Sequence, residues 1–281
     1  MAFTTLIDAE TLHRHWQDPN WVVVDCRYDL QDPAAGRRQY LEAHIPGARY
    51  AHLGRDLSGP ETATSGRHPL PDPGVLANTL GGFGIDSQIQ VVAYDAGPGA
   101  YAARLWWLLR WLGHVNCGVL DGGFGEWQRL GLSVTAEVPT PPPRTFTPRR
   151  DDELWRDTEG VAAARERGQT VVDARAAARF RGDHEPLDPV AGHIPGALNR
   201  PFEANLGDGR FLPPQHLRDQ FQALLGDTPP ERVIHSCGSG VTACHNLLAM
   251  EWAGLPGSRL YPGSWSEWIR DPSRPVATGE D

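Results

Sequence analysis

The 281-residue sequence lacks several features that mark membrane, secreted and nucleic-acid-binding proteins. It has no uninterrupted apolar stretch long enough to cross a bilayer, and residues 1–8 lack the basic and apolar regions of a signal peptide. Four cysteines in a chain of this size do not make a disulfide framework. The net charge of −9, without long basic runs, argues against nucleic acid or an anionic membrane as a partner. We therefore expect a cytoplasmic globular protein. Because its net charge is negative, binding of an anionic substrate would need a local positive site.

The chain repeats itself over long segments. Three motifs occur twice in the same order: Val22–Arg27 with Val171–Arg175, Ala43–Ala48 with Gly192–Ala197, and Gly122–Trp127 with Gly263–Trp268. Two copies of a unit this long indicate two tandem domains of one fold. Between the copies, Val138–Arg144 is rich in proline and favours extended backbone. We expect one domain at residues 1–137, a linker at 138–150 and a second domain at 151–281.

Within each copy, short β-branched runs alternate with amphipathic segments such as Tyr101–Leu112 and Gln215–Leu225. The predicted strands are Val22–Asp25, Gln90–Tyr94, Gly118–Leu120, Val171–Asp173, Arg232–His235 and Arg259–Tyr261. Continuous apolar strands of this kind are usually covered on both faces. The sequence therefore predicts an α/β fold in which each copy has a mostly parallel sheet with helices on both faces.

Cys237 lies between a predicted strand and a predicted helix that begins near Ala243. Gly238 and Gly240 let the backbone curl so that its N–H groups point inward, and the helix start adds partial positive charge. Such a loop favours an anion, so we expect Cys237 to be a nucleophile. The residues expected to bind an anionic substrate through this loop are Gly238, Gly240, Val241, Thr242 and Ala243.

The first copy has no cysteine at the corresponding position. Aligning Val91–Asp95 with Val233–Cys237 places Asp95 where the second copy has Cys237. A carboxylate there would stand where an anion would otherwise bind. We expect the first copy to be non-catalytic and to serve as a scaffold.

These motifs together are specific. Over nearly its whole length, the chain resembles the two-domain sulfurtransferases of the rhodanese and 3-mercaptopyruvate sulfurtransferase group. The resemblance implies paired rhodanese-like domains and no cofactor. It also implies that Cys237 accepts sulfur from a small anionic donor as a persulfide and passes it to cyanide, a thiol or a thioredoxin-like acceptor.

The residues after the cysteine bear on the choice of donor. In this family, thiosulfate-preferring members usually carry two basic residues there, whereas mercaptopyruvate-preferring members resemble the sequence CGSGVTA found at Cys237–Ala243. The resemblance implies 3-mercaptopyruvate as donor, with Ser239 polarising its carbonyl or relaying a proton to the departing enolate. A thiosulfate:cyanide sulfurtransferase and a persulfide carrier that serves a protein partner are the alternatives.

An arginine should hold the donor carboxylate, because its planar fork matches two oxygens. By resemblance, Arg179 is the first such residue. The mercaptopyruvate enzymes commonly place a second arginine before the Gly-His-Ile-Pro-Gly motif, where this chain has Leu187. Leucine cannot bind a carboxylate, and Arg181 or His184 could compensate.

Asp56 is a further catalytic candidate by resemblance. Some members of the family are proposed to use an aspartate from the N-terminal domain together with the cysteine and the serine. Asp56 and the nearby loop Gly66–Pro71 are the candidates here. A helix cap or turn explains Asp56 equally well.

Two other kinds of site fit the sequence poorly. A cysteine phosphatase needs an arginine six residues after the cysteine, and residue 243 is alanine. A zinc site could draw on His235, Cys237, Cys244 and His245, but this spacing does not aim four ligands at one point. We therefore expect no metal, and we interpret Cys244 as a helix residue packed on the sheet, with an accessory redox role left open.

Overall fold

The computed structural model describes residues 2–280, which form two compact units. The first unit contains the chain up to Gly59, Leu70–Asp151 and Asp208–Arg210. The second contains Pro60–Pro69, Asp152–Gly207 and the chain from Phe211 onward. The loop Pro60–Pro69 thus groups with the second unit although it belongs to the first half of the sequence. The predicted boundaries at 137/138 and 150/151 stay a prediction, and residues 138–150 contain no helix or strand.

The first unit has a five-stranded parallel sheet. Its strands are β1 (Leu6–Ile7), β2 (Trp21–Asp25), β3 (Arg49–Tyr50), β4 (Gln90–Tyr94) and β5 (Cys117–Leu120), in the order β1-β5-β4-β2-β3. The central strands β2 and β4 pair from Trp21 with Gln90 to Asp25 with Tyr94. All residues of β4 are buried, as expected for an apolar strand covered on both faces.

Six helices accompany this sheet. They are α1 (Ala9–His15), α2 (Ala35–Glu42), α3 (Leu53–Asp56), α4 (Pro73–Gly82), α5 (Ala100–Trp111) and α6 (Gly123–Arg129). Asp8 caps α1 by accepting the Thr11 N–H at 2.7 Å, and Asp72 caps α4 by accepting the Gly74 N–H at 2.8 Å. Such caps satisfy N–H groups that the helix itself leaves without partners. The tryptophans of α5 are buried, which makes them core residues.

The strands that follow β5 in the sequence are β6 (Thr170–Asp173), β7 (Leu198–Asn199), β8 (Leu206–Gly207), β9 (Arg210–Phe211), β10 (Val233–Ser236) and β11 (Arg259–Leu260). The second unit has a four-stranded parallel sheet in the order β11-β10-β6-β7. Strand β10 lies between β11 and β6, inside the sheet. The two separate parallel sheets confirm the predicted α/β fold with one sheet in each copy.

The helices of the second unit are α7 (Thr158–Glu166), α8 (Ala177–Arg181), α9 (Pro214–Leu225), α10 (Ala243–Trp252) and α11 (Ser264–Trp268). Short 3₁₀ helices occur at Asp152–Leu154, Phe202–Asn205 and Pro230–Arg232. The apolar side of α9 buries Leu217, Phe221 and Leu225 against β6, β10 and α10. Over residues 2–280, no helix combines the length and apolar character needed to cross a membrane.

The repeated Asp-x-Arg motif forms the same buried ion pair in both units. Arg27 Nη2 donates to Asp25 Oδ2 at 2.6 Å, and Arg175 Nη2 donates to Asp173 Oδ2 at 2.7 Å. Each guanidinium also donates to the carbonyl of the residue that precedes the His-Ile-Pro-Gly-Ala motif, at 2.6 and 2.7 Å. The Asp-x-Arg motif therefore connects the end of a central strand to the segment that carries the His-Ile-Pro-Gly-Ala motif. In the second unit, this pairing sets the position of Arg175 at the carboxyl edge of the sheet.

Candidate active site around Cys237

The candidate residues gather because the sheet of the second unit is parallel. Cys237 follows β10, the α8 residue Arg179 follows β6, and Ser264 follows β11. The carboxyl ends of parallel strands meet at one edge of a sheet, where loops commonly build binding sites. The order β11-β10-β6 places the cysteine loop between the other two connections.

The loop after Cys237 is wound tightly around its sulfur. Cys237 is buried, and its Sγ accepts the Gly240 N–H at 3.1 Å. Gly240 has a φ of +75°, and a Cβ there would lie 2.3 Å from the carbonyl oxygen of Pro262. Only glycine satisfies both conditions. The expected curled loop is therefore present, with α10 beginning at Ala243, while the substrate-binding role of Gly238, Gly240, Val241, Thr242 and Ala243 stays a prediction.

Ser264 is a close neighbour of Cys237 that the sequence analysis missed. Its Oγ accepts the Cys237 N–H at 3.0 Å, donates to the Tyr261 carbonyl at 2.9 Å and lies 3.9 Å from Cys237 Sγ. The residues after it also bind the loop, since Trp265 N donates to Cys237 O at 3.0 Å. The sequence repeat could have pointed to Ser264, because this serine stands where the first copy has Gly123. Both residues have left-handed backbone, with φ of +52° and +56°.

Ser239 is hydrogen-bonded to a histidine. Its Oγ lies 2.8 Å from His68 Nδ1, and both side chains are buried. His68 comes from the loop Pro60–Pro69, which is held in the second unit by backbone N–H groups. Arg67 N donates to Ser266 Oγ and Gly66 N donates to Glu267 Oε2, both at 3.2 Å. The structure thus brings part of the predicted loop Gly66–Pro71 to Ser239.

Two guanidinium groups lie beside Gly238. A Cβ on this glycine would be 3.1 Å from Arg67 Nη2, 3.5 Å from Arg179 Nη2 and 3.6 Å from Arg179 Nη1. These arginines place positive charge next to the cysteine loop, as an anionic donor requires. Arg179 was predicted for this place, and Arg67 was not.

Both arginines are held by buried carboxylates. Asp188 Oδ1 pairs with Arg67, and its Oδ2 lies 3.2 Å from Arg179 Nη2. Glu185 accepts from Arg179 Nε at 3.0 Å and from Arg175 Nη1 at 3.2 Å. Burial raises the pKa of Asp188 above its ordinary value, although Arg67 opposes the shift. Burial would also raise the pKa of Glu185, but the hydrogen bonds from Arg179 and two backbone N–H groups lower it overall.

Leu187 and the two residues considered as replacements for a second arginine make other contacts. Leu187 is exposed, and its backbone N–H donates to Glu185 Oε1 at 3.0 Å. Arg181 Nε donates to the exposed Asp183 at 2.8 Å. The backbone N–H of His184 donates to Ala178 O at 3.2 Å. By contrast, Arg67 is the second guanidinium beside Gly238.

Asp56 caps its own short helix. Its Oδ2 accepts the His52 N–H at 2.8 Å, and its carboxylate pairs with Arg55 at 2.8 Å. His52 is the N-cap residue of α3. These contacts account for Asp56 as a capping residue, and its catalytic role stays a prediction.

In the first unit, the carboxyl group of Asp95 fills its own loop. Its Oδ1 accepts the N–H groups of Gly97 and Gly99 at 3.1 and 2.9 Å, and its Oδ2 accepts those of Tyr101 and Ala102 at 2.9 and 3.3 Å. Burial raises the pKa of Asp95, whereas these four N–H groups oppose the shift. The carboxylate therefore fills the cradle, as its alignment with Cys237 predicts.

The other cysteines have different surroundings. Burial raises the pKa of Cys26, with a further contribution from Asp25, and burial also raises the pKa of Cys117. Both thiols are thereby held protonated, which makes them poor nucleophiles. Cys244 Sγ lies 3.4 Å from the Gly240 carbonyl oxygen, near the start of α10.

The side chains considered for zinc have separate partners. His235 Nε2 lies 3.1 Å from Met250 Sδ, and His245 Nδ1 lies 3.1 Å from Asn205 Nδ2. Within residues 2–280, no group of three or more His, Cys, Asp or Glu side chains has the arrangement needed to hold a metal ion.

Comparison with known proteins identifies the family. The model of the rhodanese-like domain matches residues 8–130 and again residues 157–271. The chain belongs to the rhodanese family of sulfurtransferases. This sulfurtransferase is 51% identical, over the full length of both chains, to a probable 3-mercaptopyruvate sulfurtransferase of Pseudomonas aeruginosa. It is 40% identical to a putative thiosulfate sulfurtransferase of Mycobacterium tuberculosis, over 92% of this chain and 90% of that protein.

Solved structures of the rhodanese family agree with the fold described above. The 3-mercaptopyruvate sulfurtransferase from Leishmania major superposes with a TM-score of 0.83 at 29% identity. The match covers 94% of this chain and 74% of that one. The expected family, fold and sulfurtransferase function are confirmed.

Proposed function

We propose that this sulfurtransferase takes sulfur from 3-mercaptopyruvate as a persulfide on Cys237 and passes it to a thiol or cyanide. The observation that supports this proposal is the set of groups that surround the cysteine loop. The sulfur sits in a backbone cradle at Gly240, a hydroxyl–imidazole pair lies at Ser239, and guanidinium groups stand beside Gly238. The name of the Pseudomonas aeruginosa relative supports the same donor.

In the first step, the Cys237 thiolate attacks the sulfur of 3-mercaptopyruvate. An S–S bond forms and the donor C–S bond breaks, with the electron pair of the broken bond passing to carbon. The leaving group is the enolate of pyruvate, which becomes pyruvate when it takes up one proton. The donor thiol supplies an equivalent proton, so the products are pyruvate and the Cys237 persulfide anion.

Ser239 and His68 would supply that proton and bind the carbonyl oxygen of the donor. A hydroxyl bound to an imidazole at 2.8 Å can donate to a carbonyl oxygen and be resupplied by the ring. This stabilises negative charge as it develops on the enolate. Asp56 stays a proposed catalytic residue on the family resemblance, because its contacts in the structure are with His52 and Arg55 of its own helix.

The backbone of the loop would hold the persulfide. The terminal sulfur of a persulfide is an anion that needs several donors, and inward-facing N–H groups next to a helix start can supply them. The proposed donors are Gly238, Gly240, Val241, Thr242 and Ala243. Arg179 would hold the carboxylate of the incoming donor.

In the second step, the acceptor removes the outer sulfur. A thiol RSH attacks it, the S–S bond breaks, and the products are RSSH and the Cys237 thiolate. Cyanide would give thiocyanate and the same thiolate. Both reactions balance without an external oxidant or reductant, and a thioredoxin-like protein is a suitable thiol acceptor. We infer a cytoplasmic location, where a reducing environment keeps such thiols available.

The donor is tested by comparing initial rates with 3-mercaptopyruvate and thiosulfate, using cyanide and then a dithiol as acceptor. We expect higher kcat/KM with 3-mercaptopyruvate. Mass spectrometry after donor treatment should find the extra sulfur on Cys237, and Cys237→Ser should abolish transfer without changing the circular dichroism spectrum. Cys26→Ser is the matched control and should keep activity.

Other results would change the proposal. A higher kcat/KM with thiosulfate would favour the thiosulfate:cyanide alternative while leaving the persulfide intact. Slow turnover with small acceptors, together with rapid transfer to a protein, would favour a carrier. Sulfur recovered on Cys244 instead of Cys237 would contradict the assignment of the nucleophile.

A further inference from the structure

We propose that Arg67 is the second residue that binds the donor carboxylate. It would replace the arginine that the mercaptopyruvate enzymes commonly have where this chain has Leu187. This inference rests on the proposed function, because it assigns a ligand group to the same site. It identifies a specificity-determining residue that lies 170 positions before Cys237 in the sequence.

The first support is the position of the Arg67 guanidinium. Its Nη2 would be 3.1 Å from a Cβ on Gly238, closer than either terminal nitrogen of Arg179. Gly238 directly follows the nucleophile, so a carboxylate held there would place the rest of a three-carbon donor within reach of Cys237 Sγ. The absence of a side chain at Gly238 leaves space for this contact.

The second support is the way in which the two arginines are held. Arg67 binds Asp188 through Nη1, whereas Arg179 binds Glu185 and Asp188 through Nε and Nη2. Arg67 Nη2 and Arg179 Nη1 donate no hydrogen bond to the part of the chain that the structure describes. Both nitrogens face Gly238. Two N–H donors from separate planar groups can bind the two oxygens of one carboxylate.

The third support is partial access. The side chain of Arg67 is 24% exposed and that of Arg179 is 18% exposed, whereas Asp188 is only 2% exposed. A carboxylate from solution can therefore reach the arginines but does not have to displace Asp188. Asp188 instead orients both guanidinium groups from the buried side, which limits the side-chain freedom lost when the donor binds.

The backbone around Arg67 is fixed as well. Its N–H donates to Ser266 Oγ at 3.2 Å, and Arg270 Nε donates to the Ser65 carbonyl at 3.1 Å. The loop that carries Arg67 is thus anchored to the segment at α11, close to Ser264. A substrate-binding residue on an anchored loop can act with defined geometry.

The test compares Arg67→Gln with Arg67→Lys and with Arg181→Gln, which removes an arginine paired with an exposed aspartate. With 3-mercaptopyruvate, Arg67→Gln should raise KM by about 10- to 100-fold with a much smaller change in kcat. Arg67→Lys should recover part of the loss, because it keeps the charge but not the fork. Arg181→Gln should match the wild-type protein.

A second variant separates substrate binding from the burial of an unpaired charge. Arg67→Gln leaves Asp188 with one partner fewer, and that carboxylate could repel the donor. The double variant Arg67→Gln, Asp188→Asn removes this charge and should still show the raised KM. Recovery of the wild-type KM in the double variant would overturn the inference, as would an unchanged KM in Arg67→Gln.

Persulfide formation from inorganic polysulfide, which has no carboxylate, provides the remaining readout. It should be unaffected by Arg67→Gln, and an equal loss with both donors would mean a structural role. If the wild-type protein prefers thiosulfate, the donor proposal fails separately. Inhibition by pyruvate then decides the role of Arg67: weaker inhibition of Arg67→Gln supports it, and equal or absent inhibition in both proteins contradicts it.

Discussion

Ser264 Oγ accepts the backbone N–H of Cys237 at 3.0 Å while Ser264 itself occupies the left-handed backbone region, with φ of +52°. A side chain in this conformation costs about 1–3 kcal/mol and persists where the surroundings enforce it, often at functional sites. The equivalent residue of the first copy, Gly123, has φ of +56° and avoids this cost. The copy with Cys237 thus has a strained serine where the other has glycine.

At position 264, the glycine variant should be more stable than the alanine variant, which reverses the usual order of these two residues. Both Ser264→Ala and Ser264→Gly remove the acceptor of the buried Cys237 N–H, which costs about 1–3 kcal/mol of unfolding free energy. Only alanine keeps the backbone strain, so Ser264→Gly should be about 1 kcal/mol more stable than Ser264→Ala. Urea titrations measure the order. Sulfur transfer should fall in both variants, and a more stable Ser264→Ala would contradict the strain argument.

The contact between Ser239 and His68 predicts linked effects on the first half-reaction. Ser239→Ala or His68→Gln should lower kcat with 3-mercaptopyruvate by about 100- to 10,000-fold, because the enolate would lose its proposed proton relay. The double variant should lose little more than either single variant, since the two groups act as a unit. Stopped-flow measurement of pyruvate release checks this. Cyanide attack on a preformed persulfide is the control and should change little, whereas additive losses would contradict a shared role.

Asp95 should be a stability residue of the first unit. Asp95→Asn places an NH₂ group among four backbone N–H donors, leaving buried donors unsatisfied at a cost of about 1–3 kcal/mol. Asp18→Asn is a matched control, because the side chain of the half-buried Asp18 accepts a single N–H, from Asn20. Thermal unfolding should show a lower midpoint for Asp95→Asn and an unchanged one for Asp18→Asn. Equal midpoints for the Asp95 variant and the wild type would refute the cradle interpretation.

His235 should make the protein sensitive to acid. Burial lowers the pKa of His235 from 6.5 to about 3, so the folded protein keeps the ring neutral while the unfolded chain takes up a proton below pH 6.5. The free energy of unfolding should therefore fall by up to about 1.4 kcal/mol per pH unit from this group as the pH drops below 6.5. His235→Leu should flatten that dependence in urea titrations between about pH 7 and about pH 4.5.

A surface histidine provides the control for this pH series. His216 is exposed on α9, so His216→Leu should leave the pH dependence of unfolding as it is in the wild type. The comparison concerns the slopes, because His235→Leu also changes the packing against Met250. Parallel curves for the wild type and His235→Leu would show that His235 is protonated in the folded protein.

Local pattern was sufficient for the architecture and for the loop that holds Cys237. The apolar runs around Val22, Val91, Val171 and Val233 became the central strands within one residue of their predicted bounds, because buried parallel strands leave a continuous apolar signal. The glycines on either side of Ser239 predicted the loop after Cys237, since few other residues adopt the backbone conformation that this loop needs. The two-residue strands β1, β3, β7, β8 and β9 were missed, because two residues carry no measurable periodicity. The two-residue strand β11 was found only as part of the longer predicted run Arg259–Tyr261.

The sequence by itself determined two α/β domains, the second carrying Cys237 in a glycine loop and the first carrying Asp95 in its place. Only the tertiary structure decided which distant side chains complete the site. His68 meets Ser239 across 171 positions, Arg67 meets Asp188 across 121, and Ser264 meets Cys237 across 27. Such contacts depend on where the Pro60–Pro69 loop folds and on which strand ends share one sheet edge. Neither the period of an apolar pattern nor a turn residue encodes that packing.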